Sequence, residues 1–260
     1  MVDSVVLSID LEPNKDDTMD GVRNAMEWFD ETVPRGTVFA THRIATEMPD
    51  LLAMLAESHE IGVHVHPREF GHDHDQLAEV SSDRQRELIS KTRAEITDAT
   101  GIEPISFRAG RHSASRETLR VLRDLGFAVD ASVNVRYNEY LSADLTECSE
   151  PFEIDGLTEV PVTYGTLPII STCGVRALAE RPVTATAATL RADRWGCSGP
   201  TALARLVRQA EIFSFYMHPY DATSYHDLEN GGETFRRRFE GVTDQLECIP
   251  IQIIILFLII

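Results

Sequence analysis

The sequence predicts a single α/β domain with a mainly parallel sheet, and three observations predict it. Short β-branched or aromatic runs alternate with amphipathic helical segments along the chain. No linker, repeat or low-complexity run interrupts that alternation. With 260 residues, 43% of them hydrophobic, the chain can bury one sizeable core.

The elements follow in order. Val5–Ile9 reads as a buried strand that ends in the polar cluster Asp10-Leu11-Glu12. Gly21–Thr32 has helical spacing, with Val22, Ala25, Met26 and Phe29 on one face. Gly36–Thr41 (GTVFAT) is a second strand, and Pro49–Ser58 a short helix carrying Leu51, Leu52 and Leu55. Glu60–His66 alternates as a strand, with Ile61, Val63 and Val65 on one side and Gly62, His64 and His66 on the other. Ser82–Thr100 is a polar amphipathic helix, Ile105–Arg108 a strand, and Ser115–Leu125 a helix stopped by Gly126. Phe127–Ala131 and Thr158–Val162 are strand-like. Thr201–Ala210 is helical, and Ile212–Met217 is a late strand ending at His218-Pro219. The last segment, residues 249–260, is nearly all Ile, Leu and Phe. At that length it falls short of the roughly 17–25 residues a membrane-spanning helix needs. A buried strand or an altered reading frame would each account for it. No function is assigned to it.

Charge narrows the partners. The formal net charge is −18, from 24 basic and 42 acidic residues, and Lys15 and Lys91 are the only lysines. Such a surface repels nucleic acid phosphate and anionic lipid. It suits a halophilic host, because the Debye length falls to roughly 3 Å at 1 M salt. The first residues carry no basic region or small-residue cleavage site, so the expected location is the cytoplasm. Cys148, Cys173, Cys197 and Cys248 are far apart without a CxxC pair, which favours buried free thiols over a structural zinc site.

Three clusters can carry chemistry: Asp10 with Glu12, His64 with His66, and His218. Residues spaced i, i+2 on a strand point to the same side. A mixed set of imidazoles and carboxylates suits a divalent cation that keeps an open position for water. All three clusters lie at strand C-termini, where barrels of parallel strands place their sites.

These motifs, in order, resemble the polysaccharide deacetylases of the NodB-homology, carbohydrate esterase 4-like family. SIDLE (Ser8–Glu12) is similar to the first motif and HEIGVHVHP (His59–Pro67) to the metal-histidine motif. FRAGRHSASRETLRVLRDLGF (Phe107–Phe127) resembles the third motif with its helix, VDASV (Val129–Val133) the return into the sheet, and FYMHPYD (Phe215–Asp221) the last motif. The resemblance implies a distorted (β/α) barrel of about seven parallel strands, with residues 1–248 as the catalytic domain. The implied activity is metal-dependent removal of an N-acyl group from a sugar or glycan precursor. Two alternatives are another metal-assisted C–N hydrolase on the same scaffold and a non-catalytic carbohydrate-binding relative.

By the same resemblance Asp10 is the base, with Glu12, His64 and His66 holding a divalent ion, zinc by its frequency at such sites. Arg108 orients the base and His218 is the acid. Arg111, His112 and Tyr220 are expected to contact the substrate, with a backbone N–H near Arg111–Ser113 on the oxyanion. The pattern departs from the family in two places. Leu11 separates two carboxylates that are usually adjacent, so the roles of Asp10 and Glu12 could be reversed. Arg68 stands four residues after His64, where the second histidine usually is. His66 points the same way along the strand and can substitute, and His72 or His74 could also reach in. Asp130 either orients His218 or caps a strand. Tyr164, Trp195 and Tyr220 could stack on a sugar ring, or simply pack.

Overall fold

The structure, a computed structural model, describes residues 4–137, 139–140, 148–168, 180–194, 197–223, 232–244, 246 and 248–255. Cys173, Trp195 and residues 256–260 of the apolar segment lie outside the described residues, as does the Cys197 side chain. Cys248 is a free thiol, and Cys148 and Cys248 are both half-buried rather than buried.

The strands are β1 (Ser4–Leu11), β2 (Thr37–Ala40), β3 (Glu60–Val65), β4 (Ser106–Ala109), β5 (Val129–Asp130), β6 (Phe152–Ile154), β7 (Leu157–Glu159), β8 (Tyr164–Pro168), β9 (Glu180–Thr184), β10 (Asp193–Arg194), β11 (Cys197–Ser198) and β12 (Ile212–Met217). The helices are α1 (Val22–Thr32), α2 (His42–Glu47), α3 (Pro49–Leu55), α4 (Ser82–Thr100), α5 (Arg116–Asp124), α6 (Ala187–Arg191), α7 (Gly199–Val207) and α8 (Glu233–Thr243). No helix among the described residues is long and apolar enough to cross a membrane.

Eight strands form one sheet in the order β12-β1-β2-β3-β4-β5-β7-β6. The first seven in that order run parallel, and β6 pairs antiparallel with β7 as an added edge strand. The expected seven-stranded parallel arrangement is therefore present, as a curled half-barrel. Its curl follows from one contact. In a flat sheet β1 and β4 would lie about 14 Å apart, at roughly 4.8 Å per strand, yet Arg108 of β4 reaches Ser8 and Asp10 of β1. The gap between the sheet's ends is spanned by the segment after β7, where the Thr163 N–H donates to the Ser214 carbonyl of β12 at 3.0 Å. This irregular closure is what distorts the barrel.

Two cores follow from strand alternation. Val5, Leu7, Ile9 and Leu11 face outward, into the layer shared with the helices. Val6, Phe39, Val129, Ala131 and Val160 face the barrel interior. Helix α5 shows how local chemistry sets the element ends. The Ser115 hydroxyl accepts from the Thr118 N–H at 3.3 Å, and the Thr118 hydroxyl accepts from the Ser115 N–H at 3.0 Å, closing a capping box. Gly126, at φ 79°, then turns the chain out of the helix in a conformation that only glycine adopts at little cost.

The described part of the apolar segment, residues 249–255, packs against the barrel, but not as a strand. Ile249 donates its N–H to the Val5 carbonyl, and the chain then coils into a 3-10 turn at Ile251–Ile253. Ile251 and Ile254 are fully buried against Val6, Phe39 and Val129, closing the barrel at the N-terminal ends of its strands. Polar partners at the starts of β2 and β3 set the turn. The Ile251 N–H donates to the Thr37 hydroxyl at 2.9 Å and the Gln252 N–H to Glu60 Oε2 at 3.0 Å. Ile251→Ala is expected to cost about 2–4 kcal/mol in urea denaturation, as other emptied core sites do.

Candidate active site

The site lies at the C-terminal ends of β1, β3, β4 and β12, over a cleft of about 1050 Å³. Both departures in its motifs have a common cause in strand geometry. Leu11 and Val65 are fully buried and face the helix layer. Their neighbours, Asp10 with Glu12 and His64 with His66, all line the cleft. A two-residue spacing across each strand's last residue, with the backbone still extended, thus aims both residues of each pair at one cleft.

Asp10 belongs to Arg108. The Arg108 guanidinium is fully buried and donates through Nη1 to Asp10 Oδ1 at 2.5 Å and to the Ser8 hydroxyl at 3.0 Å. Its Nε–H donates to the Ala131 carbonyl at 3.0 Å. The rings of Phe39 and Tyr216 lie 4.3 and 5.5 Å from its centre, so it is held by π faces as well as by hydrogen bonds. Burial would raise the Asp10 carboxyl, but Arg108 and the nearby histidines hold it below the ordinary aspartate value.

Glu12 belongs to the histidines. Its Oε2 lies 2.7 Å from His66 Nε2 and 3.6 Å from His64 Nε2, and the two Nε2 atoms are 3.1 Å apart. Burial opposes ionisation of Glu12, and the two histidines more than offset it, leaving the carboxyl well below its usual range. These three residues offer ligand atoms that all lie within 4.8 Å of one another. The donor set fits a divalent cation, because the outer nitrogens already have other partners. His64 Nδ1 is 2.8 Å from the Arg108 carbonyl and His66 Nδ1 is 3.5 Å from Asp75 Oδ1, so both Nε2 atoms face inward.

His218 follows β12 and reaches the same cleft, its Nε2 3.7 Å from Glu12 Oε1. Its partner is Asp221, three residues on, rather than Asp130. Asp221 Oδ2 accepts from the His218 N–H at 2.8 Å and faces Nδ1 at 3.3 Å, while Arg191 pairs with Oδ1. Burial would raise Asp221, but His218 and Arg191 hold it down at about 2. Burial disfavours the His218 cation, and Asp221 with Glu12 outweighs that, so its proton is held more tightly than usual. Asp130 lies deeper, opposite Glu159 on β7, where its Oδ1 accepts from the Ser132 hydroxyl at 2.6 Å. It neither orients His218 nor merely caps a strand.

The expected substrate contacts also line the cleft. Tyr220 stacks on His218 with ring centroids 4.6 Å apart, donates to Glu12 Oε1 at 3.3 Å, and lies beneath the Lys15 ammonium. His112 is buried, with its ring nitrogens near the Ser132 carbonyl and the Asn134 amide. Burial, with Arg108 adding to it, drives His112 down to about 3, so it stays neutral. Arg111 and His112 both have φ of 55°, a left-handed backbone that side chains of this size rarely adopt. Tyr137, not foreseen, stacks on His112 at 5.7 Å and is 46% exposed at the cleft. Tyr164 sits in the β8–β9 hairpin instead. The Gly-His-Asp-His-Asp loop contributes Asp75, while His72 turns to Arg84, whose Nε–H donates to it at 3.3 Å.

Gly110 makes the second histidine possible. A Cβ there would meet the Val65 carbonyl at 2.7 Å and the His66 ring at 2.8 Å. Gly110→Ala is therefore expected to displace His66, and in a calorimetric titration with a divalent cation to bind it about tenfold or more weakly than wild type, in the range for a disturbed metal surround.

The polysaccharide deacetylase family matches the sequence over residues 2–129. No curated protein matches it. Among solved structures, a protein from Mycobacterium smegmatis assigned to the polysaccharide deacetylases is 19% identical, with a TM-score of 0.64 over 98% of this chain and 89% of that one. The family 4 carbohydrate esterase from Streptomyces lividans, in complex with acetate, is 14% identical, with a TM-score of 0.50 over 92% and 88%. A carbohydrate esterase 4 family pseudoenzyme from Bacillus anthracis is 15% identical, with a TM-score of 0.52 over 96% of this chain and 64% of that one. At these identities the likeness is one of fold.

Proposed function

The chain belongs to the polysaccharide deacetylases, of the NodB-homology, carbohydrate esterase 4-like kind, and on that premise we propose that it is a metal-dependent hydrolase that removes an N-acyl group from a sugar or glycan precursor. One observation carries the proposal: a base with its arginine, a Glu/His/His set and an acid with its aspartate converge on one cleft. A pseudoenzyme among the structural neighbours makes that convergence the deciding point, because Leu11 and Arg68 stand at two usual ligand positions and the reading depends on Glu12 and His66 taking their places.

Glu12, His64 and His66 are the residues that would hold the ion, and zinc is the ion we propose, by its frequency at such sites. When bound, such an ion supplies Lewis acidity toward the acyl oxygen and acidifies water. Asp10, kept ionised by Arg108, accepts a proton from the attacking water. Its separate pairing supports giving it the role of base and leaving Glu12 to the histidines. His218 keeps a proton on Nε2 while Asp221 engages Nδ1, and it donates that proton to the departing nitrogen. The products are a carboxylate and a free amino sugar. Tyr220 and the exposed face of Tyr137 supply aromatic surfaces for a sugar ring. The alternative substrate class, a cyclic or small-molecule amide, differs in pocket walls and not in this machinery.

The test is acetate release from N-acetylated chitooligosaccharides, with a cyclic amide in parallel. The expected result is release from the sugar that stops with a chelator and returns with zinc. Stoichiometric zinc with no release from any N-acylated substrate would refute it.

A further inference from the structure

We propose that Asp75 is a positioning residue of the metal centre, a carboxylate that fixes the His66 ring from behind; this rests on reading Glu12, His64 and His66 as the ligands. His66 lies between two acids, with Nε2 2.7 Å from Glu12 Oε2 and Nδ1 3.5 Å from Asp75 Oδ1. An imidazole that binds a metal through one nitrogen carries its hydrogen on the other. A carboxylate accepting that hydrogen fixes the tautomer and strengthens the ligand.

The two histidines differ in how they are held. His64 lies within β3, is 2% exposed, and gives its Nδ1 to the Arg108 carbonyl. His66 comes one residue after β3 ends, before the 3-10 turn Pro67–Phe70, and its side chain is 15% exposed. The sheet therefore does not constrain it. The Gly110 backbone packs close along the Nδ1–Cε1 edge of the His66 ring, where a Cβ would meet both atoms at 2.8 Å, but a glycine has no side-chain group that can set which nitrogen holds the hydrogen. Asp75 is the group in place to do so. The Arg68 N–H reaches the same Asp75 oxygen at 3.4 Å, and the carboxylate is only 16% exposed. The loop that follows the histidine strand thus folds back to serve it, through an acid rather than through His72 or His74.

The experiment is calorimetric zinc titration of the metal-stripped full chain, with cobalt absorption spectra as a second readout. Asp75→Ala and Asp75→Asn are compared with wild type and with Asp73→Asn, an exposed acid of the same loop. The expected result is a loss of zinc affinity of about 10–100-fold in Asp75→Ala, a smaller loss in Asp75→Asn, and an altered cobalt spectrum in both. Asp73→Asn should match wild type. In a His66→Ala background Asp75→Ala should have no further effect, because its action passes through that ring. A folded Asp75→Ala protein with wild-type affinity, or an equal loss in the His66→Ala background, overturns the proposal while leaving the three-ligand centre standing. A wild-type chain that binds no zinc overturns the centre and the proposal together.

Discussion

Asp10→Asn is expected to lower kcat about 1000-fold or more and to destabilise the protein at the same time. The first effect follows from the role of base proposed for Asp10, worth roughly 10²–10⁴ in rate for a positioned proton acceptor. The second comes from its partner. Arg108 is fully buried and Asp10 is the carboxylate it donates to. A neutral asparagine leaves a charge in the barrel interior without its counter-ion, and breaking such a buried pair costs about 3–5 kcal/mol. Asparagine can still accept a hydrogen bond, which places the expected loss at the lower end. Replacing both charges separates the two effects. Asp10→Asn with Arg108→Met should regain stability in urea denaturation and regain no turnover. A double variant that recovers activity, or an Asp10→Asn protein as active as wild type, contradicts the assigned role.

His218→Ala is expected to lower kcat by about 10²–10⁴, the usual worth of a general acid, with little change in stability. Its side chain is 22% exposed and sits at the cleft, so its removal opens no core cavity. The loss should depend on the leaving group. A sugar amine needs a proton to depart, whereas an N-acyl aniline, whose amine leaves more readily, should lose much less. Equal losses on both substrates would place His218 in binding or packing instead. Asp221→Asn should fall between wild type and His218→Ala, because the ring remains but loses the carboxylate facing Nδ1.

The strands β1 to β5 and their helices are legible in the sequence because each is a short apolar run framed by polar turns or a capping residue. Ser115 and Gly126 mark the ends of α5 in the text as they do in space. The site is legible for a related reason: i, i+2 pairs at strand ends have only one face to share. What the sequence hides depends on contacts between distant segments. The β8–β9 pair carries no strong period of its own, and in α8 the helical spacing of Phe235 and Phe239 is split by three consecutive arginines. The burial of Ile251 depends on a barrel floor that exists only once β2 and β5 have met. The pairing of His218 with Asp221 is local, and a carboxylate three residues after a His-Pro step could have suggested it. Asp75 is harder to see, because two histidines beside it are the more obvious ligands. Only the turn of the loop shows which side chain reaches the site.

A zinc-edge anomalous difference map from a crystal of the zinc-loaded chain tests the account most directly. A single strong peak bounded by Glu12 Oε2, His64 Nε2 and His66 Nε2, with Asp10 and His218 facing it across the cleft, is the predicted result. A peak ligated by His72 or His74 instead, or ordered zinc elsewhere with these three side chains unengaged, would contradict it.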